Sequence, residues 1–232
     1  MNFISKFCQD FSQNFLEEGR WHYIWDGLGV TLRVTLFAVL IGLAIGFVVA
    51  IIRSTYEKTH KLKFLNFLAN VYLTVIRGTP VVVQLLIIYF VIFGSVRVPK
   101  IFVAIVAFGI NSGAYVAEIF RSGIMSIDPG QFEAGRSLGF NYIQTMMHIV
   151  IPQAVKVILP TLWNEFIVLV KETSVAGYVG VVDLTKAGDR IRGRTFEAFM
   201  PLLAVAIVYL CIVIILTQIL KVIERRLRKS ER

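Results

Sequence analysis

Cysteine, histidine and charge are all scarce in this chain, and each scarcity removes a class of function. Two cysteines and three histidines occur among its 232 residues. Cys8 and Cys211 sit at opposite ends, one in the leader and one inside an apolar run, so neither a disulfide framework nor a thiol metal site has the spacing it needs. His22, His60 and His148 are equally scattered, and no metal site is expected. Charged residues make up 17% of the chain. No HExxH helix, nucleophile-elbow serine or pair of carboxylates on one apolar helix is found among them, so no catalytic residue is assigned. The opening residues lack the basic stretch, apolar core and small-residue cleavage site of a signal peptide, and none is expected to be removed.

Apolar residues, by contrast, make up 56% of the chain, and mean hydropathy is +0.72. Several runs approach the roughly 20 residues needed to cross a hydrocarbon core as helix. The expected fold is an all-α polytopic membrane protein with about five transmembrane helices. A formal charge of +9 suggests nucleic acid at first sight. Yet the lysines and arginines cluster at the ends of apolar runs, where they orient a membrane protein and meet lipid headgroups of the bilayer. No nucleic-acid partner is expected.

Residues 1–27 alternate aromatic and polar groups, and Trp21, Tyr23 and Trp25 resemble an aromatic belt at the membrane surface. A transmembrane domain over residues 28–223 follows, then a basic tail over 224–232. The first span is expected from Leu28 to Ile52, with Ala38, Gly42, Gly46 and Ala50 forming a seam of small side chains that lets another helix approach, in this subunit or a second one. From Phe64 to Val96 the chain stays apolar for longer than one straight span requires. Arg77-Gly78-Thr79-Pro80 interrupts it, and Pro80 lacks a backbone donor and disfavours helix at Thr79, so one long broken span is expected. The third span covers Ile101 to Ile119, the fourth Pro152 to Lys171 with Pro160 inside it, and the fifth Met200 to Ile223.

Between the third and fourth spans lies an ordered loop, about residues 122–150. Asp128 can cap a helix start, Pro129 suits the first helical position, Gly139 supplies a left-handed stop, and a second short helix is expected from Asn141 to Pro152. Five spans put the chain ends on opposite sides. With the tail in the cytoplasm, twelve lysines and arginines fall on inner segments against nine on outer ones, which places the N-terminus outside and this loop inside.

Ionisable groups within spans cost roughly 2.5–3.5 kcal/mol each and usually face protein or water. Arg77 and Glu165 each lie beside a helix breaker. Interrupted spans with a buried charge point to a transport site, and the bland alternative is an Arg77–Glu165 ion pair that locks two spans together. Gly188 to Thr195 has the spacing of a phosphate-binding loop, with arginine in the lysine position. It follows no buried strand, so ATP hydrolysis must come from another chain.

Glu133-Ala134-Gly135, then Gly139, then Ile149 and Ile151-Pro152, resembles the EAA loop of ABC importer permeases, with Gly135 in place of the second alanine. Arg77 to Pro80, Ile110 to Glu118 and Asn164 to Ser174 are similar to the polar amino acid subfamily (histidine, glutamine, arginine, cystine and opine uptake). The resemblance implies a type I importer permease in the bacterial cytoplasmic membrane. It also implies two ATPase subunits that carry ATP and Mg, a second permease subunit (identical or a sister chain), and an extracytoplasmic substrate-binding protein delivering a polar amino acid. Gln131, Phe132, Glu133, Ala134, Gly135 and Arg136 would form the coupling helix, with Phe132 to Gly135 as its contact face and Gly139 as its bend. Substrate would pass Arg77, Thr79, Pro80, Asn111, Tyr115, Asn164 and Glu165. A stand-alone ion-coupled transporter using Arg77 and Glu165 as a relay is the rival reading, and it leaves Glu133 to Pro152 unexplained.

Overall fold

The computed structural model describes residues 3–229, and every regular element within them is a helix. Met1 and Asn2 of the leader and Ser230 to Arg232 of the basic tail lie outside the described residues. Helix α1 (Phe3–Phe11) leads through a π turn and a left-handed Glu18-Gly19 pair (φ 54° and 62°) into α2 (Trp21–Thr59). The first span therefore starts earlier than its hydropathy indicates. Its 39 residues extend about 58 Å, well beyond a hydrocarbon core of about 30 Å. Trp21, Tyr23 and Trp25 belong to its first turns, and the boundary at residue 27 falls inside it.

The expected break is present. Helix α3 (Lys63–Gly78) ends where Thr79 turns extended (φ −124°, ψ 149°), and Pro80 starts α4 (Val81–Ile87), which runs through a π turn to Ile92. The two arms meet at a bend of 112°. Pro160 behaves differently, since it lies inside α8 (Ile151–Glu172) without ending it. Neighbouring helices can satisfy the backbone group a membrane proline frees.

Helix α5 (Lys100–Met125) runs parallel to α2. A Cβ on Gly109 would meet the Ala38 carbonyl, one on Gly42 would touch Ser112, and one on Gly46 would strike Val116, so numbers rise together along the seam. The small-residue stripe is thus filled from within the subunit. Parallel α2 and α5 require the bent α3–α4 pair to carry the chain back across once, which gives five passes in all. Helix α8 returns antiparallel to α5, with Ile158 against Gly123 near one face and Leu169 packed with Val34 and Ala104 near the other. Helix α10 (Phe199–Lys229) comes back beside it, and the Trp163 indole donates to the Leu216 carbonyl at 2.9 Å.

Two short helices stand off the ends of this bundle. One is α6 (Gly130–Ser137), followed by α7 (Tyr142–Thr145). The second helix of the loop does not stop at Pro152 as expected. A π turn at Met146–Val150 joins α7 to α8, so one continuous path runs from Tyr142 to Glu172. At the opposite end lies α9 (Leu184–Thr195). It covers the whole Gly188 to Thr195 stretch, so the phosphate-loop spacing there is a helix and no cradle.

Candidate functional site

The α6 unit is built almost entirely from local bonds. Asp128 Oδ1 accepts the Gly130 amide at 2.7 Å, which satisfies one of the free donors at the helix start. At the other end the Gly139 amide donates to Arg136 O at 2.9 Å and the Phe140 amide to Gly135 O at 3.0 Å. With Gly139 at φ +80° this is the double bond of a Schellman stop, which a side chain at that position would strain. Asn141 then restarts the chain: its side chain accepts from the Gln144 amide and its amide donates to Gln144 Oε1, each at 2.9 Å.

Three contacts weld α6 to the path leading into α8. Thr145, 1% exposed, sits where a Cβ on Gly135 would come within 2.6 Å. The Phe132 and Tyr142 rings stack at 6.2 Å. Gln153 Nε2 donates to Gln131 Oε1 at 3.2 Å. These contacts correct the expected docking face. Gly135 and Phe132 turn toward the protein, whereas Glu133, Ala134, Arg136 and the 70% exposed Leu138 face outward. The glycine that departs from the EAA pattern is explained by the same packing, because Thr145 occupies the space an alanine methyl would need.

The pathway residues separate into two groups on different faces of α5. On one face Arg77 reaches Glu118 at 3.9 Å and lies 6.0 Å over the Tyr115 ring. Asn111, 2% exposed, donates to Gln84 Oε1 at 2.9 Å, and the Gln84 amide nitrogen donates to Thr79 O at 3.0 Å and Thr79 Oγ1 at 2.8 Å. Thr79 and Pro80 themselves are exposed at the break. On another face Ser112 donates to Glu165 Oε1 at 3.1 Å, while Asn164 is exposed. Arg77 and Glu165 are not paired. The cationic partner proposed for Glu165 instead joins Arg53 and Arg121 around Glu118, because Asn111, Tyr115 and Glu118 share the α5 face turned to α3.

No single stretch of sequence assembles that cluster. Arg121 Nε lies 3.1 Å from both Glu118 oxygens, and Arg53 Nη1 lies 3.5 Å away. Together with Asn70, Thr74 and Arg77 these groups line a cavity of about 460 Å³. The Glu118–Arg121 spacing of three was the only local signal of it. Arg53 and Arg77 arrive from other helices. Gln84 carries no sequence signal either, since nothing in an apolar run marks one glutamine as the partner of a break.

At the other end, α9 is held by distant chain segments. The Leu184 amide donates to Thr31 Oγ1 at 3.1 Å, and a Cβ on Gly27 would lie 2.8 Å from Ala187 Cβ. Asp183 caps the helix, accepting from the Thr185 amide at 3.0 Å and the Lys186 amide at 3.3 Å. Burial pushes its carboxyl upward, against these amide bonds. Asp189 is the opposite case: the Lys186 ammonium, then Arg192, holds its carboxyl below the usual range. Asn14, fully buried, donates to Glu197 at 3.1 Å and accepts from Thr195 at 2.8 Å, fastening the leader to the same end. Among the described residues no group of histidine, cysteine, aspartate and glutamate could hold a metal ion.

Five passes, a broken span and a short capped helix welded to the fourth pass define a membrane transport subunit. Residues 42–229 match the family described as binding-protein-dependent transport system inner membrane component, and the chain belongs to it. It is an ABC importer permease of the type I fold, a transport subunit and not an enzyme, and it works with ATPase subunits and a substrate-binding protein in the cytoplasmic membrane. It is 41% identical over 166 residues to the glutamine transport system permease protein GlnP of Escherichia coli K12, covering 70% of this chain and 76% of that one. A crystal structure of an amino acid ABC transporter with histidines superposes with a TM-score of 0.84 at 40% identity, over 91% of this chain and 98% of that one. The MetNI methionine ABC transporter in an inward-facing conformation shares the fold at a TM-score of 0.74 and 20% identity, over 88% and 96% of the two chains.

Proposed function

We propose that this permease passes a polar amino acid, with glutamine the expected substrate, and that α6 is the element through which a separate ATPase moves it. Its resemblance at 41% identity to a glutamine permease supports the substrate class. The α6 weld is the observation that carries the coupling role. A helix of eight residues has little stability alone, yet this one is capped at both ends, fixed to α7 by Gly135 and Phe132 and to α8 by Gln131. Force applied to Glu133, Ala134 and Arg136 therefore travels into a helix that carries Glu165. In this reading the α6 face is cytoplasmic, the α9 face with the N-terminus is outside, and the C-terminus is cytoplasmic. Twelve against nine basic residues support that orientation. Two such permeases, identical or sister chains, would pair over two ATPases, with ATP and Mg bound by the ATPases and no cofactor on this chain. The substrate would pass Arg77, Thr79, Asn111 and Tyr115 on one side of α5, and Asn164 and Glu165 on another.

The test is reconstitution with the ATPase and binding protein in vesicles. ATP-driven uptake of glutamine is expected to exceed that of other amino acids, and Glu133→Ala is expected to uncouple ATP hydrolysis from uptake. Uptake without ATP, or full coupling in both Glu133→Ala and Gly139→Val, overturns the reading.

A further inference from the structure

The break between α3 and α4 leaves backbone oxygens that no helical amide reaches, and such groups in a broken span must be satisfied within the protein. Gln84 does this. Its amide nitrogen lies 2.7 Å from Ile76 O, 3.0 Å from Thr79 O and 2.8 Å from Thr79 Oγ1. All three are acceptors, with the Thr79 hydroxyl hydrogen already given to Val75 O at 2.8 Å. The side chain can therefore lie only one way round, with Oε1 turned toward α5. There it meets Asn111, which must present its nitrogen and does so at 2.9 Å. The second amide is thus oriented by the first. Asn111 Oδ1 is what remains: a buried acceptor without a donor. Buried polar atoms are rarely left in that state, and an exception calls for a cause.

We propose that Gln84 is a positioning residue of the transport pathway: it fixes Asn111 so that Oδ1 offers a hydrogen-bond acceptor to a donor-bearing group of the cargo, an ammonium or amide N–H. The proposal rests on Asn111 belonging to the pathway. Oδ1 is closed off in this conformer, so the donor meets it as the arms at Thr79–Pro80 part. The arrangement selects for substrates carrying N–H donors over those carrying only acceptors. It also gives Gln84 two duties in one side chain, since the donors that seal the break dictate which atom Asn111 shows.

The experiment is initial-rate uptake by the full reconstituted complex at varied binding-protein and substrate concentration, separating KM from maximal rate, with thermal unfolding of each variant. Asn111→Leu is expected to raise KM about tenfold or more, because a hydrogen bond to a charged donor is lost. Gln84→Met is expected to raise KM about fivefold, with its maximal rate within about twofold of wild type, as the freed amide no longer holds its oxygen in place. Adding Asn111→Asp to Gln84→Met is expected to restore KM, since a carboxylate shows an acceptor whichever way it lies. If Asn111→Leu leaves KM unchanged, the pathway reading of Asn111 fails and the proposal with it. If Asn111→Leu raises KM but Gln84→Met only lowers the unfolding temperature, or the added Asp rescues nothing, Gln84 is a structural seal and the proposal alone is overturned.

Discussion

Helices α6 and α9 are both short, both capped by an aspartate, and both stand off the end of the bundle. They are held in opposite ways. The bonds of α6 join residues close in sequence, and it reaches α8 through Gln153. Those of α9 run to residues far away: Thr31 on α2, Asn14 in the leader, Tyr209 on α10 at 3.3 Å from Thr185, and Glu18 at 3.5 Å from Arg194. One helix is a handle attached to a single span. The other is a brace across three elements. Under the proposed coupling role both are needed, because a lever moves a span only if something else holds its far end.

The sharpest way to break this contrast is to overfill each glycine seat. Gly27→Val pushes a side chain against the Asp183 carbonyl, which a backbone at 2.8 Å cannot yield to. It is expected to cost about 1–3 kcal/mol and to lower the unfolding temperature in detergent by about 2–12 °C. Gly135→Val, at 2.6 Å from Thr145, is expected to cut ATP-driven uptake about tenfold by tilting α6 off α7, while the unfolding temperature moves by less than about 2 °C. Equal thermal losses in the two variants would show that α6 is no independent handle. Gly139→Ala places a methyl at φ +80° and is expected to loosen the turn by about 1–2 kcal/mol, read as faster hydrogen exchange over residues 130–140 with little change elsewhere.

The smallest effect is expected from Asp189→Asn on the brace. Its carboxyl is held low by Lys186 and Arg192, so its contribution is present above the ordinary aspartate value and is lost as pH falls through the depressed one. Unfolding free energies of wild type and variant should differ by about a few tenths of a kcal/mol at about neutral pH and converge in acid. Asp183 has the opposite sign: burial raises its carboxyl, so whatever it adds is fullest at low pH and declines as pH rises through the raised value. A gap between Asp189→Asn and wild type that widened in acid would contradict this assignment.

The handle was legible in the sequence and the brace was not, for a physical reason. Asp128, Gly139, Asn141 and Gln144 act on neighbours three or fewer residues away, so their chemistry shows in the order of the letters. Pro80 declared the broken span in the same way. Partners more than a hundred residues apart leave no such trace, and Asn14, Thr31 and Gly27 read only as part of a leader or a span. The same blindness leaves an Arg77–Glu165 pair open as an alternative that the fold does not form, since composition reveals a buried charge but not which face of α5 it meets. Gly135 was assigned outward because helix position alone does not say where Thr145 will sit. The start of α2 was missed because its first turns pack on α9 and the leader, where polar and aromatic residues serve a helix as well as apolar ones do.

The parallel seam of α2 and α5 also sets a clock for synthesis. Gly42 waits for Ser112, and the 70 residues between them take about 4–14 s to make at about 5–20 residues per second. Through that interval the first span exists without the helix that fills its groove of small residues, and the bent α3–α4 pair is made between the two. The groove is therefore filled only once α5 has been made, and Gly42 and Gly46 then admit Ser112 and Val116. Filling the groove at Gly42 or Gly46 by mutation lengthens no loop and changes no charge, yet it alters a contact that must wait for a helix made some seventy residues later.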